Sequence, residues 1–293
     1  MIIAQITGGL GNQMFQFATA KALSLHLNAD LKLDLESFKQ EIVPELEVPR
    51  KFELTAFQNF EFKEASLDEI YSFNSMNIIS KRIQKLIPGY KRTIYNEPKY
   101  VFDKNFFKAN IPIYLKGHWQ SEKYFKRFGK EIKEIFELKD LLIEEVKELG
   151  KEISKQNSVS IHIRRGDYLR LPIILDWHGV LEKEYYFKAI EIVRSQIVNP
   201  QIFYFSDDIN WVNNELMPTY PGTIISENIS KTHYHDFYLM QLCKNQIVAN
   251  SSFSWWAAWL NSNPQKIVIA PKKWFNNAPY ETKDLIPEDW IRI

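Results

Sequence analysis

In Val159-Ser-Ile-His-Ile-Arg-Arg-Gly-Asp-Tyr168, two arginines, a glycine and an aspartate follow an alternating apolar run. A guanidinium fork matches phosphate oxygens. Charge packed this densely at the carboxyl end of a strand is costly unless an anion binds there. One reading of Arg164 and Arg165 is therefore a grip on a phosphorylated ligand; the other is a turn in which Asp167 simply pairs an arginine. Asn250-Ser-Ser-Phe-Ser-Trp-Trp-Ala-Ala-Trp259 is a second junction with chemistry to offer. Ser251 and Ser252 carry hydroxyls, the opening of a helix presents N–H groups to an anion, and Phe253 could stack on a base. Trp255 and Trp259, four apart, share a helix face and read as packing.

Three further clusters are weaker. Gly8-Gly-Leu-Gly-Asn-Gln13 brings glycines to a helix start, which lets a backbone approach a ligand closely, yet it matches neither the dinucleotide fingerprint nor a P-loop. Ser206-Asp207-Asp208 suits a divalent metal, ribose hydroxyls or a plain helix cap. His233-Tyr-His-Asp236 holds metal-type ligands but lacks a second cluster at zinc-like spacing, and Asp236 could instead accept from the N–H groups of guanine.

Positioning these groups requires strands that end where they stand. Ile2–Ile6 reads as a strand, Asn12–His26 as a helix capped by Asn12, and Ala29–Leu35 as a strand. Residues 36–110 show scattered aromatics and prolines without a period. Ile113–Lys116 reads as a strand, the stretch from Glu122 to about Lys155 as helical, and Ser154–Ser158 as a linker. Beyond it, strands over Val159–Ile163, Gln201–Ser206, Thr223–Ile225, Gln246–Ala249 and Lys266–Ala270 alternate with helices over Tyr185–Ser195, Trp211–Met217, Asp236–Lys244 and Ser254–Asn261. Such alternation predicts an α/β fold with a doubly wound parallel sheet and ligands at the carboxyl ends of its strands.

The chain has 293 residues, 45% hydrophobic and 14% aromatic, with a net charge of +1. That is enough for two domains with real cores, and too neutral for binding nucleic acid by bulk charge. The single cysteine, Cys243, rules out an internal disulfide and sits in an apolar stretch that reads as core. Met1–Ile6 lacks the basic leader of a signal peptide, and no apolar run is long enough to span a membrane.

In order along the chain, Gly8-Gly-Leu-Gly-Asn-Gln-Met-Phe-Gln-Phe17, Gly117-His-Trp-Gln-Ser121, His162-Ile-Arg-Arg-Gly-Asp-Tyr168, Phe205-Ser-Asp-Asp208 and Asn250-Ser-Ser-Phe-Ser-Trp-Trp-Ala-Ala258 resemble the motifs of the α-1,2-fucosyltransferases, glycosyltransferase family 11. The resemblance implies a GT-B-type glycosyltransferase with two Rossmann-like domains facing a cleft, here 1–155 on the acceptor side and 156–293 binding GDP-fucose. It implies inverting transfer of L-fucose from GDP-β-L-fucose to the 2-OH of a terminal β-galactoside, without an essential metal or other cofactor, in surface glycan or O-antigen synthesis. The expected partners are GDP-fucose and a galactose-terminated oligosaccharide, with no nucleic acid and no membrane span. The absence of the anchor and stem of eukaryotic relatives implies the soluble, cytoplasmic bacterial type.

Carried over by motif, Arg164 would grip the β-phosphate and Asn12 would reach across the cleft to the diphosphate or the fucosyl oxygen. Asp167 would orient the arginines or take the acceptor's proton, with His178, otherwise a solvated loop histidine, as a second candidate base. The donor-binding set would comprise Gly9, Gly11, Gln13, His162, Arg165, Ser206, Asp207, Asp236, Asn250, Ser251, Ser252 and Phe253. Competing readings are a fucosyltransferase of another linkage or acceptor, and a catalytically silent module that binds a GDP-sugar.

Overall fold

Ile2, Ile3 and Ala4 are all buried, so the first strand is covered on both faces, as in the interior of a parallel sheet. The computed structural model describes residues 1–40, 49–75, 86–98, 100–138, 142–277 and 280–293. They form two compact units, Met1–Glu137 with Tyr280–Pro287, and Leu138–Pro279 with Glu288–Ile293.

In the first unit β1 (Ile2–Gln5) leads into α1 (Leu10–Leu27) and β2 (Leu31–Asp34). α2 (Leu67–Asn74), β3 (Ile94–Asn96), β4 (Ile113–Lys116) and α3 (Gly129–Ile135) follow. The strands form a parallel sheet in the order β2-β1-β4-β3. α2 is set by sequence: Ser66 accepts from the Glu69 N–H while the Glu69 carboxylate accepts from the Ser66 N–H, a complete capping box. Residues 280–287 belong to this unit: Asp284 accepts from the Phe102 N–H at 3.1 Å and pairs with Lys123 at 2.8 Å. Of the segment 36–110, residues 41–48 and 76–85 lie outside those described.

The second unit contains α4 (Glu144–Lys155), β5 (Ser158–Ile163), α5 (Gly166–Arg170), α6 (Pro172–His178), α7 (Lys183–Gln196) and β6 (Gln201–Ser206). Next come α8 (Ile209–Trp211), β7 (Thr223–Ile224), α9 (His233–Leu242), β8 (Asn245–Ile247), α10 (Ser252–Leu260), β9 (Val268–Ala270) and β10 (Ile291–Arg292). Its six strands run parallel in the order β10-β9-β8-β5-β6-β7. Val159, Ile161 and Ile163 pack against Tyr186, Ile190 and Val193 of α7. The alternate residues Ser158, Ser160 and His162 are buried too, because a central parallel strand has no solvent face. α10 carries the tryptophans into the core: Trp255 and Trp259 stack at 6.3 Å, and Trp255 meets Trp290 at 5.5 Å.

Two expectations are corrected. Ser154–Ser158 is no linker: α4 runs through it into β5 inside the second unit, and the break falls at Glu137/Leu138 rather than at 155/156. Nor does Asn12 cap α1, which starts at Leu10 with Gly9 as its N-cap. The glycine loop turns early because Gly8 takes φ +76°, a conformation that glycine adopts without a Cβ penalty.

Candidate functional site

The strand order of the second unit reverses between β5 and β8, with β6 and β7 on one side and β9 and β10 on the other. Connections diverge there and leave a crevice at the carboxyl ends, the usual ligand position in an open α/β sheet. Arg164 follows β5, and residues 250–254 follow β8. Both motifs therefore flank the switch point.

Arg164 is gripped by two carboxylates, its Nη2 donating to Asp167 Oδ2 at 2.6 Å and its Nη1 pairing with Asp207 Oδ2 at 2.9 Å. Asp207 Oδ1 accepts from the N–H groups of Arg165 and Gly166 at 2.8 and 3.0 Å, which pins the turn after β5. The turn is tight at Gly166, where an added Cβ would lie 3.0 Å from the Asp207 carboxylate and would require it to shift. The guanidinium of Arg164 also lies 5.6 Å from the centre of the Tyr168 ring. The result is an oriented cation at the strand end.

A second cluster lies at the starts of α9 and α10. Asp236, in the first turn of α9, accepts from the Ser226 hydroxyl at 2.7 Å, and Ser226 accepts from the Ser206 N–H at 3.0 Å. The other carboxylate oxygen, Oδ1, is buried without a hydrogen-bond partner. Burial raises the Asp236 pKa, partly offset by the nearby hydroxyls of Ser230 and Ser226. Phe253 lies near Phe237, His162 and His233, with ring centres 5.3, 5.8 and 6.2 Å away. His162 is buried, and desolvation, helped by the charge of Arg164, pushes its pKa down to about 3, so it stays a neutral wall. No side chain caps the first turn of α10, which begins at Ser252 after Ser251. An aromatic slot beside an unsatisfied carboxylate suits a flat base that carries adjacent N–H donors.

Several expected ligand contacts are instead spent on the fold. Ser206 accepts from the Asp208 N–H at 2.9 Å, and the Asp207 carboxylate is engaged by Arg164, Arg165 and Gly166 as above. Arg165 turns away from Arg164, its guanidinium 4.4 Å from the Trp211 ring centre and 3.3 Å from Asp208. Asn250 is buried and donates to the carbonyls of His178, Gly179 and Trp274, tying three loops. Gln13 is fully buried, donating to the carbonyls of Gly8 and Lys51 and accepting from the Glu53 N–H. His178 is no solvated loop residue: it ends α6, stacks on Tyr168 at 4.9 Å, and burial lowers its pKa. Asp236, Phe253, His162, Ser251 and Ser252 come together in the second cluster, beside the Arg164–Asp167 pair.

Asn12, Gly9 and Gly11 belong to the first unit, whose sheet reverses between β1 and β4. Asn12 Oδ1 accepts from Gln120 Nε2 at 2.8 Å. Gln120 sits on the Gly117–Ser121 loop, which Glu97 organises: its carboxylate accepts from the His118 N–H at 2.8 Å and also from the N–H groups of Trp119 and Gln120. Burial nonetheless raises the Glu97 pKa. Gly117 has φ +155°, and a Cβ there would lie 2.4 Å from Glu97 Cβ. Gly117→Ala is accordingly expected to cost about 1–3 kcal/mol of stability or more, read as a lower urea midpoint at constant m. An unchanged midpoint would contradict this packing. Gly11 is buried in α1, and beside Gly9 lies the guanidinium of Arg50, whose Nη1 would be 3.5 Å from an added Cβ. Arg50 and Ser226 escaped sequence reading; only the position of Ser226 just past β7 hinted at it.

Among known families, the model described as Glycosyl transferase family 11 matches residues 1–293. The chain belongs to that family. Two similar family-length proteins come from Escherichia coli. An alpha-1,2-colitosyltransferase is 33% identical, over 100% of this chain and 99% of its own. The O-antigen biosynthesis glycosyltransferase WbnK is 30% identical, over 98% and 99%. The galactoside 2-alpha-L-fucosyltransferase Sec1 of Mus musculus is 23% identical, over 89% of this chain and 64% of its own. Among solved structures, NodZ alpha-1,6-fucosyltransferase from Bradyrhizobium, soaked with GDP-fucose, covers 92% of this chain and 94% of its own, at TM-score 0.51 and 14% identity. The fold of this family 11 glycosyltransferase is thus the expected GT-B-type α/β class, with parallel sheets in both units.

Proposed function

We propose that this chain transfers L-fucose from GDP-β-L-fucose, with inversion, to the 2-OH of a terminal β-galactoside. The observation that carries the reading is the pairing, at one switch point, of a guanine-type slot with an oriented guanidinium. The slot is Phe253 beside the unpartnered Asp236 oxygen, and the guanidinium is that of Arg164. The acceptor hydroxyl attacks the anomeric carbon as the bond to GDP breaks, and negative charge grows on the β-phosphate. Arg164 and the N–H groups opening α10 stabilise that charge. Asp167, committed to Arg164 at 2.6 Å, orients the fork rather than taking the proton. That proton leaves late, to the diphosphate or to water.

Identity to an alpha-1,2-colitosyltransferase favours a second reading in which the donor sugar is the 3-deoxy counterpart of fucose. One experiment separates the two: GDP-fucose and GDP-colitose are each offered with lactose and with β-1,3- and β-1,4-galactosyl disaccharides, with and without a chelator. The first reading expects an α-1,2-fucosylated product that survives chelation. Colitosyl product alone transfers the case to the second reading. GDP binding with neither transfer nor donor hydrolysis would leave a silent binding module. No helix among the described residues is long and apolar enough to cross a membrane.

A further inference from the structure

All four strands of the first unit end on a polar residue: Gln5 on β1, Asp34 on β2, Asn96 on β3 and Lys116 on β4. These four line a single cavity of about 590 Å³, and Tyr71 and Tyr114 stand in its walls. Residues earlier in the strands are mostly apolar and buried, so the polar character is confined to the carboxyl edge, where parallel sheets receive ligands. The size lies within the range of roughly 300–1,000 Å³ for small-molecule sites.

The lining indicates what would fit. Lys116 is the only cation in the lining, which also holds two carboxylates, Asp34 and Glu36, so the cavity lacks the arginine forks or basic cluster of a phosphate site. Three carboxamides, two carboxylates, a serine hydroxyl, an ammonium and two phenols offer donors and acceptors together, which matches the hydroxyls of a neutral sugar. Part of the wall is rigid: Asp34 accepts from the Tyr114 hydroxyl at 2.6 Å and from the Glu36 N–H at 2.9 Å, and both Asp34 and Tyr114 are buried. Tyr71, 61% exposed, presents an aromatic face on which the C–H side of a pyranose could pack.

We propose that this cavity is the subsite that holds the neutral oligosaccharide acceptor, with Tyr71 and Asn96 as specificity-determining contacts. The inference rests on the galactoside-transfer reading above and names its acceptor-binding residues. Contributions come from both the legible strands and the segment 36–110 that carried no sequence signal.

The test uses the full chain, saturated with GDP, and compares the wild type with Tyr71→Ala, Asn96→Ala and the double variant. Binding of lactose and of a β-1,3-galactosyl disaccharide is read by saturation-transfer NMR, and acceptor KM by transfer assay. The rise in Tm on adding GDP reports folding and the separate nucleotide site. The double variant is expected to raise the acceptor Kd and KM about tenfold or more while the GDP-induced Tm rise persists. Wild-type saccharide affinity in the double variant overturns the proposal, as does a wild type that gives no signal with either sugar. Normal transfer with variant-insensitive KM sinks the subsite and spares the proposed function. Variant-sensitive sugar binding without transfer from either GDP-sugar does the reverse. If the double variant fails to fold, the single variants carry the comparison.

Discussion

Arg164→Ala is expected to lower kcat by about 10²–10³-fold, roughly 3–4 kcal/mol of barrier, measured at saturating donor and acceptor. The reason is the placement of the charge. A guanidinium held by Asp167 on one arm and Asp207 on the other cannot swing away as the β-phosphate gains charge, so no reorganisation is needed at the moment of transfer. Arg164→Lys keeps the charge but loses the fork, and one ammonium cannot reproduce the two-armed grip. It should recover only part of the loss. Removing Arg164 also leaves two carboxylates facing each other, so Tm must be followed alongside rate. A folded Arg164→Ala protein that turns over within threefold of the wild type would remove Arg164 from the mechanism.

Asp236→Asn is expected to weaken GDP binding about 10²-fold while leaving Tm at pH 7 unchanged or higher. Burial raises the Asp236 carboxyl pKa, so the native chain holds that proton more tightly than the unfolded chain does. The stability contributed by the protonated carboxyl is fully present below the unfolded pKa and is lost as pH rises through the folded pKa. At neutral pH the ionised, half-paired carboxylate is therefore a cost to folding, and an amide of the same shape relieves it. GDP reverses the balance because the N–H donors of guanine satisfy Oδ1. GDP affinity should accordingly rise with pH through the raised pKa in the wild type and stay flat in Asp236→Asn. The wild type should prefer GDP over inosine diphosphate, which lacks the 2-amino group, and the variant should lose most of that preference. Calorimetric titration that finds equal GDP affinity in both proteins would place the base elsewhere.

How far the sequence could be read depended on how long each pattern ran. Val159–Ile163 and Gln201–Phe205 are long enough to show their period, and both strands form where expected. β3 and β10 have three and two residues and could not be told from loop. Asn12 is a strong capping type, yet Gly8 turns the chain so that α1 caps at Gly9, three residues sooner than side-chain preference indicates. At the site, residue type was legible but residue commitment was not. Asp207, Ser206 and Gln13 all carry groups that could hold a nucleotide, yet each is engaged by nearby backbone or by Arg164. Asp236 and Asn250 differ from these, because the fold leaves the Oδ1 of each buried and unsatisfied.

The backbone passes from the first unit to the second at Glu137/Leu138, returns at Tyr280 and leaves again after Pro287. Neither unit is thus a single stretch of gene. A fragment ending at residue 137 would lack Asp284, the partner of Lys123 and of the Phe102 N–H, together with the buried Leu285 and Ile286. Dissection by truncation should therefore yield insoluble halves, whereas complementation of the 1–137 piece by a separately supplied C-terminal piece has a structural basis.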